Sequence, residues 1–156
     1  RQGGNREARV RLVGFSDVPV DPAGAGLHEE TVNFRCMDGF WRGPTTRRTG
    51  SFEVAVPGDL PPLLRLRGDG ETETSFKLPS GLRVSLTRAA GTRFINLDRG
   101  MQGQITREDG TVDSLTWSSL RGVLVGETLT PHRLYSFELG AGLELLATPR
   151  YLTPWR

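Results

Sequence analysis

The chain is short of the residues on which much polar chemistry depends: its 156 residues include one cysteine, two histidines and one lysine. The single thiol, Cys36, excludes an intramolecular disulfide and weakens the case for a disulfide-stapled secreted scaffold. Structural zinc needs clustered Cys and His ligands, and Cys36, His28 and His132 lie far apart in the sequence. A nucleophilic triad needs a base beside an activated hydroxyl or thiol. Neither histidine stands near a nucleophile motif, and Gly-x-Ser-x-Gly is absent. No Gly-x-Gly-x-x-Gly or Walker-type loop supports nucleotide binding. No apolar run approaches the roughly 20 residues of a membrane-spanning helix. The chain opens Arg1-Gln2-Gly3-Gly4-Asn5 with neither an initiator methionine nor a signal-peptide pattern, which reads as a processed protein or as a chain given without an upstream signal, anchor or domain.

What the chain does have is glycine (20) and proline (10), which together favour many turns and few long helices. With 36% apolar and 24% charged residues it is globular, and one domain is expected over residues 1–156. The basic residues are almost all Arg, Lys77 being the exception, which reads as genome composition rather than selection for phosphate. The net charge of +2 agrees, since a dedicated nucleic-acid domain carries a larger excess.

One phrase occurs three times: Ser51-Phe52-Glu53-Val54, Ser75-Phe76-Lys77-Leu78 and Ser136-Phe137-Glu138-Leu139. Two copies continue alike, through Pro79-Ser80-Gly81-Leu82 and Gly140-Ala141-Gly142-Leu143, and both read as hairpins. Elsewhere apolar residues alternate: Ala8, Val10 and Leu12; Val32, Phe34 and Cys36; Phe52, Val54 and Val56; Leu82, Val84 and Leu86; Leu143, Leu145 and Ala147. Period-two patterning turns one set of side chains to a core and the other to water, as in antiparallel sheets. Cys36 falls on the inward phase and reads as a buried, inert thiol. The fold expected is all-β: an antiparallel sandwich, jelly roll or barrel of about ten short strands with at most one short helix.

Several segments are less regular. Arg107-Glu108-Asp109-Gly110-Thr111 reads as a tight hairpin joining residues 101–107 to 111–115. Residues 114–125 carry Trp117, Leu120 and Leu124 at helical spacing, but Gly122, Val123 and Val125 tilt the reading toward strand. Residues 18–27 read as a loop or edge segment, Pro149 and Pro154 as an extended C-terminal tail, and residues 68–73 as a candidate subdivision. Thr49-Gly50-Ser51-Phe52-Glu53-Val54, with the Pro-rich turn and Leu63-Leu64-Arg65-Leu66 that follow, resembles the carboxypeptidase-regulatory and transthyretin-like modules over about a third of the chain. That resemblance implies a sandwich and no particular activity.

The strongest binding candidate is Phe40, Trp41, Arg42, Arg47 and Arg48, where Gly and Pro display aromatic rings beside guanidiniums suited to a sugar, a base or a partner chain. Asp17, Asp21, Glu29 and Glu30 are weak calcium candidates that match no EF-hand spacing. Arg67-Gly68-Asp69 spells an adhesion tripeptide at an expected hairpin tip. Trp117 reads as core, and Tyr151 and Trp155 as groups able to dock on the domain or a neighbour.

No cofactor and no catalytic constellation is expected. The reading is a non-catalytic structural, assembly or protein-binding module of a surface, appendage, envelope or virion, with protein subunits as partners and a homo-oligomer or larger assembly as its state. The alternatives are a carbohydrate-binding or accessory domain of a larger enzyme and an Arg/Trp-based nucleic-acid-binding barrel.

Overall fold

Alternating side chains need one covered face per sheet, and the chain supplies it by packing two antiparallel sheets over one core. A computed structural model describes residues 6–16, 31–120, 122–123 and 125–153. The larger sheet runs β10 (Ile105–Arg107), β9 (Arg93–Asn96), β6 (Leu60–Gly68), β12 (Leu143–Tyr151) and β3 (Trp41–Arg42), with β4 (Thr46–Thr49) also on β12. Its centre is the β6–β12 pair, in register from Leu143 opposite Gly68 to Thr148 opposite Leu63. The smaller sheet runs β5 (Ser51–Ala55), β11 (Leu134–Leu139), β7 (Thr74–Lys77) and β8 (Arg83–Leu86). A separate hairpin, β1 (Val10–Ser16) with β2 (Thr31–Cys36), forms an arm. The all-β expectation holds.

The alternating sets read at 52–56, 82–86 and 143–147 turn inward, and Val56, Val84, Leu143, Leu145 and Ala147 are buried. Leu64, Leu66, Ile95, Ile105, Leu143, Leu145 and Ala147 from the large sheet meet Phe76, Val84, Phe137 and Leu139 from the small one, all buried. Phe52 stacks on Phe137 with ring centroids 5.7 Å apart, an arrangement that adds to the burial of both rings.

Departures from the sequence reading have physical causes. The first repeat copy is a hairpin, Thr74 to Lys77 pairing with Leu86 to Arg83, closed by Leu78 N–H to Leu82 O (2.9 Å). The second copy is not: β11 lies in the small sheet and β12 in the large one. Its hairpin donors are taken elsewhere, Leu139 N–H by Gly50 O (3.0 Å) and Gly140 N–H by Ser75 O (2.8 Å). The chain therefore turns the corner between sheets. Residues 68–73 make a parallel corner from β6 to β7, tied to the first by Asp69 N–H on Gly142 O at 3.2 Å. Gly70 (φ +74°) sits here with Ala89 O so close that no side chain fits.

Residues 114–125 contain no strand among those described. Asp113 caps a single helical turn, α1 (Ser114–Ser118), by accepting from Thr116 N–H, which decides the local contest for helix. Met101 lies in a short 3-10 turn (Arg99–Met101), so the hairpin expected at residues 101–115 shrinks to Ile105–Arg107 and one bridge, Thr106 to Val112. Pro149 is no tail residue: it is buried inside β12, where the register shifts between Thr148 and Arg150 and no ladder donor is required.

Candidate functional site

The candidate stretch at residues 40–48 forms one edge of the large sheet. β3 pairs with the end of β12 (Arg42 opposite Arg150, Trp41 opposite Tyr151), and β4 with its start (Arg47 opposite Leu146, Arg48 opposite Leu145). The residues do not converge. Phe40 is half-buried, with the Arg150 guanidinium 4.9 Å and that of Arg42 5.7 Å from its ring centroid. Arg42 also grips Asp38 at 2.8 Å. Burial pulls the Arg150 guanidinium below its usual pKa, partly offset by Asp98, and its Nε donates to Pro61 O. Trp41 is half-buried. Arg47 and Arg48 are exposed beyond the Gly43-Pro44-Thr45 break, and Arg47 lies 3.7 Å from Glu144.

The arm joins this same edge. Glu7 and Arg42 exchange two backbone hydrogen bonds (2.8 and 2.6 Å), and Met37 N–H reaches Arg9 O at 2.7 Å. The alternation of Val10 and Leu12 reads as a core-facing phase, yet both side chains are exposed, as is Met37, and Val13 is 66% exposed. Cys36 is half-buried on the arm, with Sγ 3.8 Å from Phe40 O, so the expectation of a buried thiol is corrected. Among the described residues no second layer covers Val10, Leu12 and Val13.

The opposite edge of the sheet, β10 with α1, shows a second exposed apolar group. Leu115 is 83% exposed, and Met101, Val112 and Val123, from the neighbouring turns of the chain, are exposed as well. Trp117 packs partly on the core and donates its indole N–H to Gln102 O at 3.2 Å. Beside it lies an open hollow of about 430 Å³ lined by Gln102, Trp117, Leu120 and Val123 among others. Sequence reasoning missed this edge: its apolar residues are scattered through turns and follow neither strand nor helix period.

The polar clusters are structural. Asp113, 2% exposed, accepts from Arg93 Nε (2.5 Å) and from Thr116 Oγ1 (2.8 Å) and N–H (3.3 Å), with Arg107 at 3.7 Å. Burial raises its pKa, but the bonds from Thr116 and Arg93 outweigh it and hold the carboxyl at about 2. Buried Glu127 caps the backbone N–H groups of Ser80 (2.9 Å) and Thr128 (3.2 Å). His132 is exposed in a turn at φ 63°, its N–H on Val56 O.

Among the described residues no three His, Cys, Asp or Glu side chains converge on a metal-sized site. The calcium candidates Asp17, Asp21, Glu29 and Glu30, like His28 and residues 18–27, lie outside the described residues, as do Pro154 and Trp155. Arg67 ends β6 on its outer face and Asp69 turns the corner, where its carboxylate accepts from Glu71 N–H at 3.0 Å, so the tripeptide does not occupy a hairpin tip. No helix among the described residues is long and apolar enough to cross a membrane.

The chain matches no family model and no curated protein. Its structure is similar to that of the SPP1 Dit protein, described as a paradigm of the hub adsorption apparatus in phages that infect Gram-positive hosts. The TM-score is 0.66 at 16% identity, over 95% of this chain. The chain spans 61% of that protein's length. At this identity the likeness is one of fold.

Proposed function

We propose that this chain is a non-catalytic assembly module, a β-sandwich building block of a virion or surface apparatus that works by docking to other protein subunits. The observation that carries the reading is the pair of exposed apolar groups at opposite ends of the strand order: Val10, Leu12 and Val13 on the separate arm that bridges to the β3 edge, and Met101, Val112 and Leu115 near the β10 edge. Exposed apolar groups gathered in patches mark interaction sites, whereas single ones need no explanation. Two different patches at opposite edges suit a head-to-tail contact, the arm of one copy lying on the α1 edge of the next, which closes into a ring or extends into a stack. The Dit likeness supports a virion role and an extracytoplasmic setting. The sugar and nucleic-acid alternatives draw on Trp41 with the arginines, and gain no support from a half-buried Trp41 that pairs with the end of β12 while Arg47 and Arg48 pair with its start.

Light scattering over a range of concentrations tests the reading. The chain is expected to associate with rising concentration, and Leu115→Glu, which places a charge on a solvent-facing position, is expected to hold it monomeric while leaving the fold intact. A monomer at every concentration would defeat self-assembly.

A further inference from the structure

The two sheets handle charge on their outer faces differently. On the small sheet, Glu138 stands opposite Lys77 and beside Arg83, bonded to both at 2.7 and 3.1 Å, and Glu53 accepts from Ser136. Acid and base are matched there. On the large sheet, cross-strand register sets Arg47, Leu146, Arg65 and Asn96 in one row, and Thr49, Glu144, Arg67 and Phe94 in the next. Three guanidiniums face one carboxylate and only two reach it: Glu144 lies 3.7 Å from Arg47 and 4.0 Å from Arg67, and Arg65 has no ion pair among the described residues. Arg47 and Arg65 flank Leu146 about two strand spacings, or roughly 10 Å, apart. Like charges gathered on one sheet face destabilise it unless something neutralises them.

We infer that the outer face of the large sheet docks an acidic, partly apolar segment of another protein. Half-buried Leu146 gives the patch an apolar centre between Arg47 and Arg65, half-buried Phe94 borders it beyond Arg67, and the three arginines offer bidentate donors for carboxylates. That is the composition of a protein-binding patch, apolar and arginine-rich. A strand-tracking nucleic-acid groove is continuously positive and offers exposed rings for stacking. Here Glu144 interrupts the charge at the middle. The surface is separate from the two apolar edges, so its occupant does not depend on self-assembly.

The test is fluorescence anisotropy of a labelled random glutamate–tyrosine copolymer titrated with the full chain at about 50 mM salt, where screening is weak. Wild type is expected to bind, Arg47→Gln with Arg65→Gln to weaken binding about tenfold, and Lys77→Gln with Arg83→Gln on the matched face to change it less than about twofold. All four positions are surface side chains, and circular dichroism checks that the variants fold. Failure of wild type to bind the copolymer, or equal losses in both double variants, would overturn the inference. So would tighter binding of an oligothymidylate, which assigns the face to nucleic acid. Tighter binding of a peptide spanning residues 17–30, which carries Asp17, Asp21, Glu29 and Glu30, would also overturn it by making the chain its own occupant. Light scattering on the Arg47→Gln, Arg65→Gln variant separates the two proposals, since association through the edges is expected to persist.

Discussion

Replacing Asp113 with alanine is expected to cost about 3 kcal/mol, because this carboxylate performs two tasks at once. It accepts from the Thr116 N–H that starts α1, and loss of such a cap costs about 1 kcal/mol. It also neutralises Arg93, whose side chain is only 15% exposed. Stripping one partner from a buried pair costs roughly 3–5 kcal/mol. Arg93 keeps its bonds to the Gly91 and Thr92 carbonyls (3.2 Å each), which brings the loss below the roughly 4–6 kcal/mol that the two costs would reach together, to about 3 kcal/mol. For a chain of this length the melting temperature should fall by about 6–12 °C. Asp113→Asn retains an acceptor and should lose about 2 kcal/mol. The wild-type carboxyl is held at about 2 against an ordinary 3.8. Its stabilisation is therefore full above about pH 4 and disappears as pH falls toward 2, a change of about 2 kcal/mol. Asp113→Asn removes that dependence. Thermal unfolding followed by circular dichroism at pH 7 and pH 3 reads both effects. A shift below about 2 °C for Asp113→Ala at pH 7 would refute the reasoning.

Phe137→Ala should destabilise by about 3–5 kcal/mol in urea unfolding, since the ring is fully buried and stacked on Phe52. Gly70→Ala should cost more than about 3 kcal/mol, because its Cβ meets the backbone oxygen of Ala89 at a positive φ; Gly39→Ala, also at positive φ but facing open space, should cost about 1 kcal/mol. His132→Gly should raise the urea midpoint by the equivalent of about 0.5–1 kcal/mol, relieving a left-handed backbone at an exposed residue.

The layers of the sandwich were readable because period two survives in β6, β11 and β12, where Leu64, Leu66, Phe137, Leu143 and Leu145 point inward as their spacing requires. The arm shows the limit of that signal. Val10 and Leu12 alternate just as well, and alternation states that a face is apolar without stating what covers it. The identical Ser-Phe phrases of β7 and β11 lead to different topologies, because long-range acceptors, Gly50 O and Ser75 O, decide the second turn. Likewise α1 rests on Asp113, whose capping competes with the β-branched residues that follow. The candidate stretch at residues 40–48 was legible as an aromatic and basic run. Its division by Gly43-Pro44-Thr45 depends on which part of β12 each half pairs with, and that register is set far away in sequence.

A mixing experiment tests head-to-tail assembly most directly. Val13→Glu spoils the arm and leaves the α1 edge; Leu115→Glu spoils the α1 edge and leaves the arm. Both positions face solvent, at 66% and 83% exposure. Light scattering should find each variant monomeric alone and a one-to-one heterodimer on mixing, because one intact arm meets one intact edge. A mixture that remains two monomers while the wild type still associates would contradict the arm-to-edge contact.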